Sequence, residues 1–225
     1  LVSLIGSMPN LSLSVEQKEV IDVIVNSLER ETFQAFLLKG VTGSGKTEVY
    51  LRAIEHAIGS GRGAIVLVPE ISLTPQVLER FRARFGSKVA EFHSGLTMSK
   101  RIQEWRRTTD GDATIVIGAR SAVFAPVKNL GIMVVDEEHE SSYKQEEAPR
   151  YSARDVALVR ARQVGASVIL GSATPSLESF HNAQTGKYSL LQLLNRVGNR
   201  PLPNISVVDL RQPKEKDLSL IHISE

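Results

Sequence analysis

The run Gly40-Val41-Thr42-Gly43-Ser44-Gly45-Lys46-Thr47 has the residue types needed to hold a polyphosphate. Gly43 and Gly45 permit a backbone that turns several N–H groups onto one anion. The helix expected to follow aims its positive end at the same place. Lys46 adds a full charge for the outer phosphates, and the Thr47 hydroxyl suits Mg²⁺. The bland alternative is a Gly/Ser-rich turn that merely contains Lys-Thr. An apolar run before it (Ala35 to Leu38) and a helical pattern after it argue for the phosphate loop.

A second cluster completes such a site. Gly131-Ile132-Met133-Val134-Val135 reads as an apolar strand ending in Asp136-Glu137-Glu138-His139. In a parallel sheet, carboxylates at the C-terminal end of a strand share an edge with the phosphate loop. Asp136 is then placed to hold Mg²⁺ through water, and Glu137 to orient and deprotonate an attacking water. The two clusters together predict a P-loop core that hydrolyses a nucleotide. The sequence contains no Asn-Lys-x-Asp segment, which disfavours guanine.

Two further segments carry double readings. Gly171-Ser172-Ala173-Thr174 follows an apolar run at Ser167–Leu170, yet Thr174 before Pro175 is also a helix cap. Ser14-x-x-Gln17 is a capping box for the first helix.

The elements that must position these residues alternate along the chain. Short β-branched runs fall at Ala35–Leu38, Ala64–Val68, Val89–Phe92, Ala113–Ile117, Gly131–Val135, Ser167–Leu170 and Ile205–Val208. Helical stretches are expected from Val15 to Arg30, after Gly45, from Thr74-Pro75, and over Ser99–Arg107, Ser152–Arg162 and Pro175–Asn182. Alternating strand and helix predicts an α/β fold, a parallel sheet with helices on both faces in a three-layer sandwich.

Composition sets the outer limits. The 225 residues are 42% hydrophobic and 23% charged, which excludes a disordered chain or a fibre. With no cysteine there is no disulfide, thiolate zinc site or Cys nucleophile. No apolar run approaches the ~20 residues of a membrane span, and no secretory signal is visible. Net charge is only +2, but its distribution is uneven. Arg80, Arg82, Arg84, Lys88, Lys100, Arg101, Arg106 and Arg107 fall in one stretch, and Asp136, Glu137, Glu138, Glu140, Glu146 and Glu147 in another. That suits a polyanion partner beside a metal site, and equally two solvated helix faces and a loop. Leu1 in place of Met suggests a chain cut from something longer, and Ser219–Glu225 read as foreign to the fold.

Asp-Glu-x-His followed by Ser-Ala-Thr at strand ends, after a phosphate loop, resembles superfamily 2 helicases and translocases. Longer stretches resemble the primosomal replication-restart (PriA) helicase family within it. They are Lys39–Thr47, Val68–Gln76, His93–Leu96, Ile117–Ala122, Asp136–Gln145, Arg150–Asp155 and Gly171–Pro175. Ala119 departs from the Thr more usual in that family, with Arg120 retained beside it. The resemblance covers about Leu13 to Arg211. It implies a RecA-like first helicase lobe over 13–211, a linker at 1–12 and a truncated or non-native tail at 212–225.

The resemblance also implies function. Gly40 to Thr47 would bind ATP with Mg²⁺ on Thr47 and Asp136, and Gln17 would read adenine. His139, Ser172 and Thr174 would link phosphate state to the grip on nucleic acid. Tyr143, Lys144, Tyr151 and Arg154 would sense single-stranded DNA, by stacking of tyrosines and pairing of cations with phosphates. Ser72, Thr74 and Arg120 would touch the DNA backbone. The parent is expected to be a cytoplasmic 3′-to-5′ DNA helicase acting on single-stranded and forked DNA. Its expected partners are other primosome proteins and single-strand-binding protein, with zinc on cysteines outside this chain and no membrane. Two alternatives are a stand-alone P-loop kinase, which would ignore DNA, and a non-catalytic docking lobe.

Overall fold

The computed structural model describes residues 13–199. The expected strand at Ile205–Val208, the linker at 1–12 and the tail at 212–225 lie outside the described residues. Among the described residues, seven parallel strands form the main sheet, interleaved with six α-helices. In chain order they are α1 (Val15–Glu29), β1 (Gln34–Gly40), α2 (Lys46–Gly59), β2 (Gly63–Leu67), α3 (Pro75–Phe85), β3 (Val89–Phe92), α4 (Met98–Asp110), β4 (Ile115–Gly118), β5 (Leu130–Val135), a two-stranded antiparallel ribbon of β6 (Lys144–Gln145) and β7 (Tyr151–Ser152), α5 (Ala153–Val164), β8 (Ser167–Ser172), α6 (Leu177–Gln184) and β9 (Ser189–Leu193).

The main sheet runs β3-β4-β2-β5-β8-β1-β9. The inner strands are buried on both faces, as their continuous apolar sequences require. Strand alternation divides the core into two layers. Phe36 and Leu38 join Val20 and Ile24 of α1, Ile54 of α2 and Phe81 of α3. Leu37 joins Ala153, Ala157 and Ala161 of α5, with Phe180 of α6 packed against that layer. The alanine stripe lets α5 lie close to the sheet.

Several helices begin where side chains cap them. Ser14 and Gln17 form the expected box at α1. Thr74 caps α3 ahead of Pro75, Thr97 caps α4 and Ser152 caps α5. One expectation is corrected. The cap of α6 is Ser176, which accepts from the Ser179 N–H, so Thr174 does not start that helix. Thr174 instead donates its N–H to the Ser172 hydroxyl at 2.9 Å, which frees the segment to follow β8 rather than α6. Strand β9 had no clear sequence signal. It is a half-buried edge strand whose polar Ser189 and Gln192 break the apolar run.

Parallel pairing puts every strand's C-terminal end at one edge of the sheet. Along that edge, Arg120 follows β4, the Pro69–Ser72 segment follows β2, Asp136 follows β5, Ser172 ends β8 and the phosphate loop follows β1. Strand β8 therefore sits between the loop and the acidic segment.

Candidate nucleotide site

The phosphate loop has the backbone its sequence predicts. Gly43 and Gly45 take φ of +81° and +85°, where a side chain would strain the turn. A Cβ on Gly45 would also lie 2.2 Å from the Gln17 amide nitrogen. The loop is braced from outside. Val41 donates to the Leu193 carbonyl of β9, and Val197 donates to the Gly43 carbonyl. Gln17 forms the capping box read for its position and also braces the loop. Its Oε1 accepts from Ser14 and its Nε2 donates to the Ser44 carbonyl at 2.9 Å, which ties α1 to the loop.

The expected meeting of the two clusters occurs. Lys46 lies 3.0 Å from the Gly40 carbonyl and 3.7 Å from the Glu137 carboxylate. One cavity of about 630 Å³ is lined by Gln17, Val41 to Thr47, Asp136 and Glu137. Asp136 is fixed by its own N–H to the Leu67 carbonyl, by Tyr50 Oη donating to Oδ1 at 2.9 Å, and by Tyr143 Oη donating to its carbonyl at 2.6 Å. Burial pushes the Asp136 carboxyl above its usual range. The Tyr50 hydrogen bond opposes this and neighbouring Glu137 adds to it. Burial, and then the Asp136 charge, likewise hold the hydroxyls of Tyr50 and Tyr143 above their ordinary values. Glu137 adopts φ of +45°, a strained conformation for a residue with a side chain and a common mark of functional positions.

Residues at this site fit a magnesium–nucleotide pair. Thr47 and Asp136 supply hard oxygens, the donors Mg²⁺ takes when phosphates and water complete its shell. Among the described residues no group of three or more His, Cys, Asp or Glu forms a self-sufficient metal cage. The buried Ser44 hydroxyl has no hydrogen-bond partner, as expected for a group in a cradle built for an anion.

A polar chain leads away from this cavity. Glu137 lies 3.7 Å from His139, and His139 Nδ1 is 2.8 Å from the Ser172 hydroxyl. Beside it, Glu138 is a fully buried carboxylate. It accepts from the Ser176 N–H, the Ser176 and Ser179 hydroxyls, and Arg154 at 3.1 Å.

Two residues expected to face DNA are placed differently. Tyr143 is 2% exposed, so its ring offers no face for a base, and its hydroxyl anchors the loop to Asp136. Arg154 is committed to Glu138 and Ser176. Lys144 is exposed on the ribbon, while Tyr151 is half-buried against Phe124 and 6.0 Å from the Arg120 guanidinium. Arg120 also donates to the Lys144 carbonyl at 2.7 Å. Ser72, Thr74 and Arg120 lie together along the β2 and β4 part of the edge, apart from the cavity.

Sequence reading passed over Tyr50 and left Arg80 in the basic stretch without a role in the site. Arg80 lines the cavity from α3, one turn before Arg84, which pairs with Glu48 and Glu55 of α2. The four-residue spacing of Arg80 and Arg84 was the available signal, since it puts both on one helix face. Other basic residues of that stretch are structural. Arg82 and Lys100 both hold the buried Glu91 of β3.

Comparison with known proteins agrees with this geometry. The sequence pattern of the DEAD/DEAH box helicase family matches residues 14–183. The replication restart protein PriA of Bacillus subtilis is 54% identical over 202 residues, covering 90% of this chain and 25% of that protein. PriA of Chlamydia pneumoniae is 47% identical over 214 residues, covering 95% of this chain and 29% of that protein. The chain thus spans about a quarter of the length of these relatives. Among solved structures, RecG bound to a three-way DNA junction superposes with a TM-score of 0.62 at 25% identity, covering 84% of this chain and 24% of that one. A stand-alone kinase is not favoured by any of these likenesses. The chain belongs to the DEAD/DEAH box helicase family, and within it is similar to the replication restart proteins PriA.

Proposed function

We propose that this chain is the ATP-binding and ATP-hydrolysing lobe of a 3′-to-5′ DNA helicase that acts in primosome assembly and the restart of stalled forks. The observation that carries the reading is the shared cavity of Lys46, Thr47, Asp136 and Glu137 at the sheet edge, in a chain so similar to the PriA proteins. The loop from Gly40 to Thr47 cradles the triphosphate, with Lys46 as its counter-charge. Thr47 and Asp136 would hold Mg²⁺, which when bound neutralises phosphate charge. Glu137 orients and deprotonates the attacking water. Gln17 keeps adenine within reach while bracing the loop, and residues 13–211 make up the lobe.

His139, Ser172 and Thr174 relay the state of the nucleotide to the DNA-facing side. Ser72, Thr74 and Arg120 meet the DNA backbone, and Lys144 and Tyr151 meet single-stranded DNA. Tyr143 and Arg154 act from beneath, by holding the loop in place. RecG, a structural neighbour, is seen on a three-way DNA junction, which supports branched DNA as the substrate class. Single-strand-binding protein, other primosome proteins and a zinc site belong to the longer parent, which works in the cytoplasm.

In such motors a second lobe supplies an arginine worth ~10³–10⁵ in rate. The chain alone is therefore expected to bind ATP weakly and turn it over slowly. The test is ATP hydrolysis with and without forked or single-stranded DNA, in this chain and in its full-length parent. DNA stimulation confined to the parent is expected. DNA-stimulated turnover by the chain at the parent's rate contradicts the two-lobe reading, and a parent indifferent to DNA contradicts the motor.

A further inference from the structure

Tyr50 belongs to neither sequence cluster, yet three motifs meet on its hydroxyl. It lies one turn into α2, directly after the phosphate loop, and is 2% exposed. Its Oη donates to Asp136 Oδ1 at 2.9 Å. On its other side lies Gly171 of β8. A Cβ there would come within 1.7 Å of the Tyr50 hydroxyl oxygen and 2.8 Å of Cζ. Gly171 is thus a notch in β8 that admits the hydroxyl, and its carbonyl accepts the Glu138 N–H at 3.0 Å. A phenylalanine would fill the same core volume. The hydroxyl reaches deepest into the notch, and its hydrogen bond goes to a carboxylate that lines the cavity.

We infer that Tyr50 is a positioning residue for the Asp136 carboxylate. Lodged in the Gly171 notch, its hydroxyl fixes one oxygen of Asp136 so that the rest of the carboxylate faces the cavity in a single orientation. An aspartate held in this way loses less freedom on meeting a hydrated cation than one free to rotate. The Gly171 requirement then has a cause apart from the Ser172–His139 contact beside it.

The inference rests on the reading of the cavity as a magnesium–nucleotide site. The experiment measures binding of a fluorescent ADP analogue to the full chain against Mg²⁺ concentration, and separately in EDTA. Tyr50→Phe should raise the Mg²⁺ concentration for half-maximal binding about ten- to a hundredfold, the worth of one hydrogen bond to a charged group. Affinity in EDTA should not change. Gly171→Ala reaches the same hydroxyl from the opposite side and should shift the Mg²⁺ dependence in the same direction. The double variant should shift it little further than either alone. An unchanged Mg²⁺ dependence in a folded Tyr50→Phe chain overturns the inference and leaves Tyr50 a packing residue. Equal losses with and without Mg²⁺ also overturn it. Lys46→Ala is the separate control, because binding that survives it removes the magnesium–nucleotide reading itself.

Discussion

The two ends of the sheet's C-terminal edge are built in opposite ways. Around β1, β8 and β5 the polar groups point inward and hold one another. Lys46 meets Glu137, His139 meets Ser172, and Tyr50 and Tyr143 clamp Asp136. Around β2 and β4 the edge is open. Ile71 is 89% exposed beside Ser72, and Arg120 and Lys144 sit at the surface of the ribbon side. A small anion needs a closed cradle of fixed donors, whereas a long polyanion needs an accessible track. The difference suits the nucleotide site proposed at one end and the nucleic-acid track proposed at the other, with Glu137, His139 and Ser172 linked within the closed end.

The contrast can be broken at either end. Lys46→Ala should weaken nucleotide binding by at least ~100-fold, since it removes the cradle's charged donor. Fluorescent-nucleotide titration checks this, and unchanged affinity would place the anion elsewhere. Arg154→Ala should cost about 3 kcal/mol of stability, because it leaves Glu138 charged, buried and without its cation. For a lobe of this size that is a fall of roughly 10 °C in Tm by calorimetry. A near-neutral result would mean that the three serine donors suffice.

Asp136→Asn should act in the opposite direction. Burial raises the folded-state pKa of this carboxyl, so folding loses stability as pH rises through the interval between its unfolded and folded values. At neutral pH the charge is a net burden on the ligand-free lobe. The asparagine variant should then melt about 2–4 °C higher, a gain of ~1 kcal/mol, while binding nucleotide with less response to Mg²⁺. A lower Tm would show that the Tyr50 and Lys46 contacts outweigh burial. At the open end, Lys144→Ala should weaken single-stranded DNA binding by the parent modestly and reduce its salt slope by about one. An unchanged slope would remove Lys144 from the track.

What sequence reading could see follows the same division. The phosphate loop was legible because its function is local. Glycines at positive φ, the strand before and the helix after all lie within a few positions of Lys46. The inner strands were legible through their apolar runs, though not their order in the sheet. The segment after β5 was harder. Tyr143 and Arg154 have the residue types of a DNA-binding loop, but their partners, the Asp136 carbonyl and the Glu138 carboxylate, are set by how β5, α5 and α6 pack. Residue type alone does not separate an arginine aimed at phosphate from one satisfying a buried carboxylate. Tyr50 was hidden for a similar reason. Its helical spacing reads as core, and only the approach of Gly171 and Asp136 in space gives its hydroxyl a task. Edge strand β9 escaped because one half-buried face gives a mixed pattern.

The most direct measurement is a crystal structure of the chain with Mn²⁺ and ADP, with the metal located by its anomalous signal. A single peak inside the cavity, between the Thr47 hydroxyl and the Asp136 carboxylate, with the phosphates on the loop from Gly40 to Thr47, is the expected result. Nucleotide bound away from that loop, or a metal with neither residue near it, would contradict the assignment of this edge.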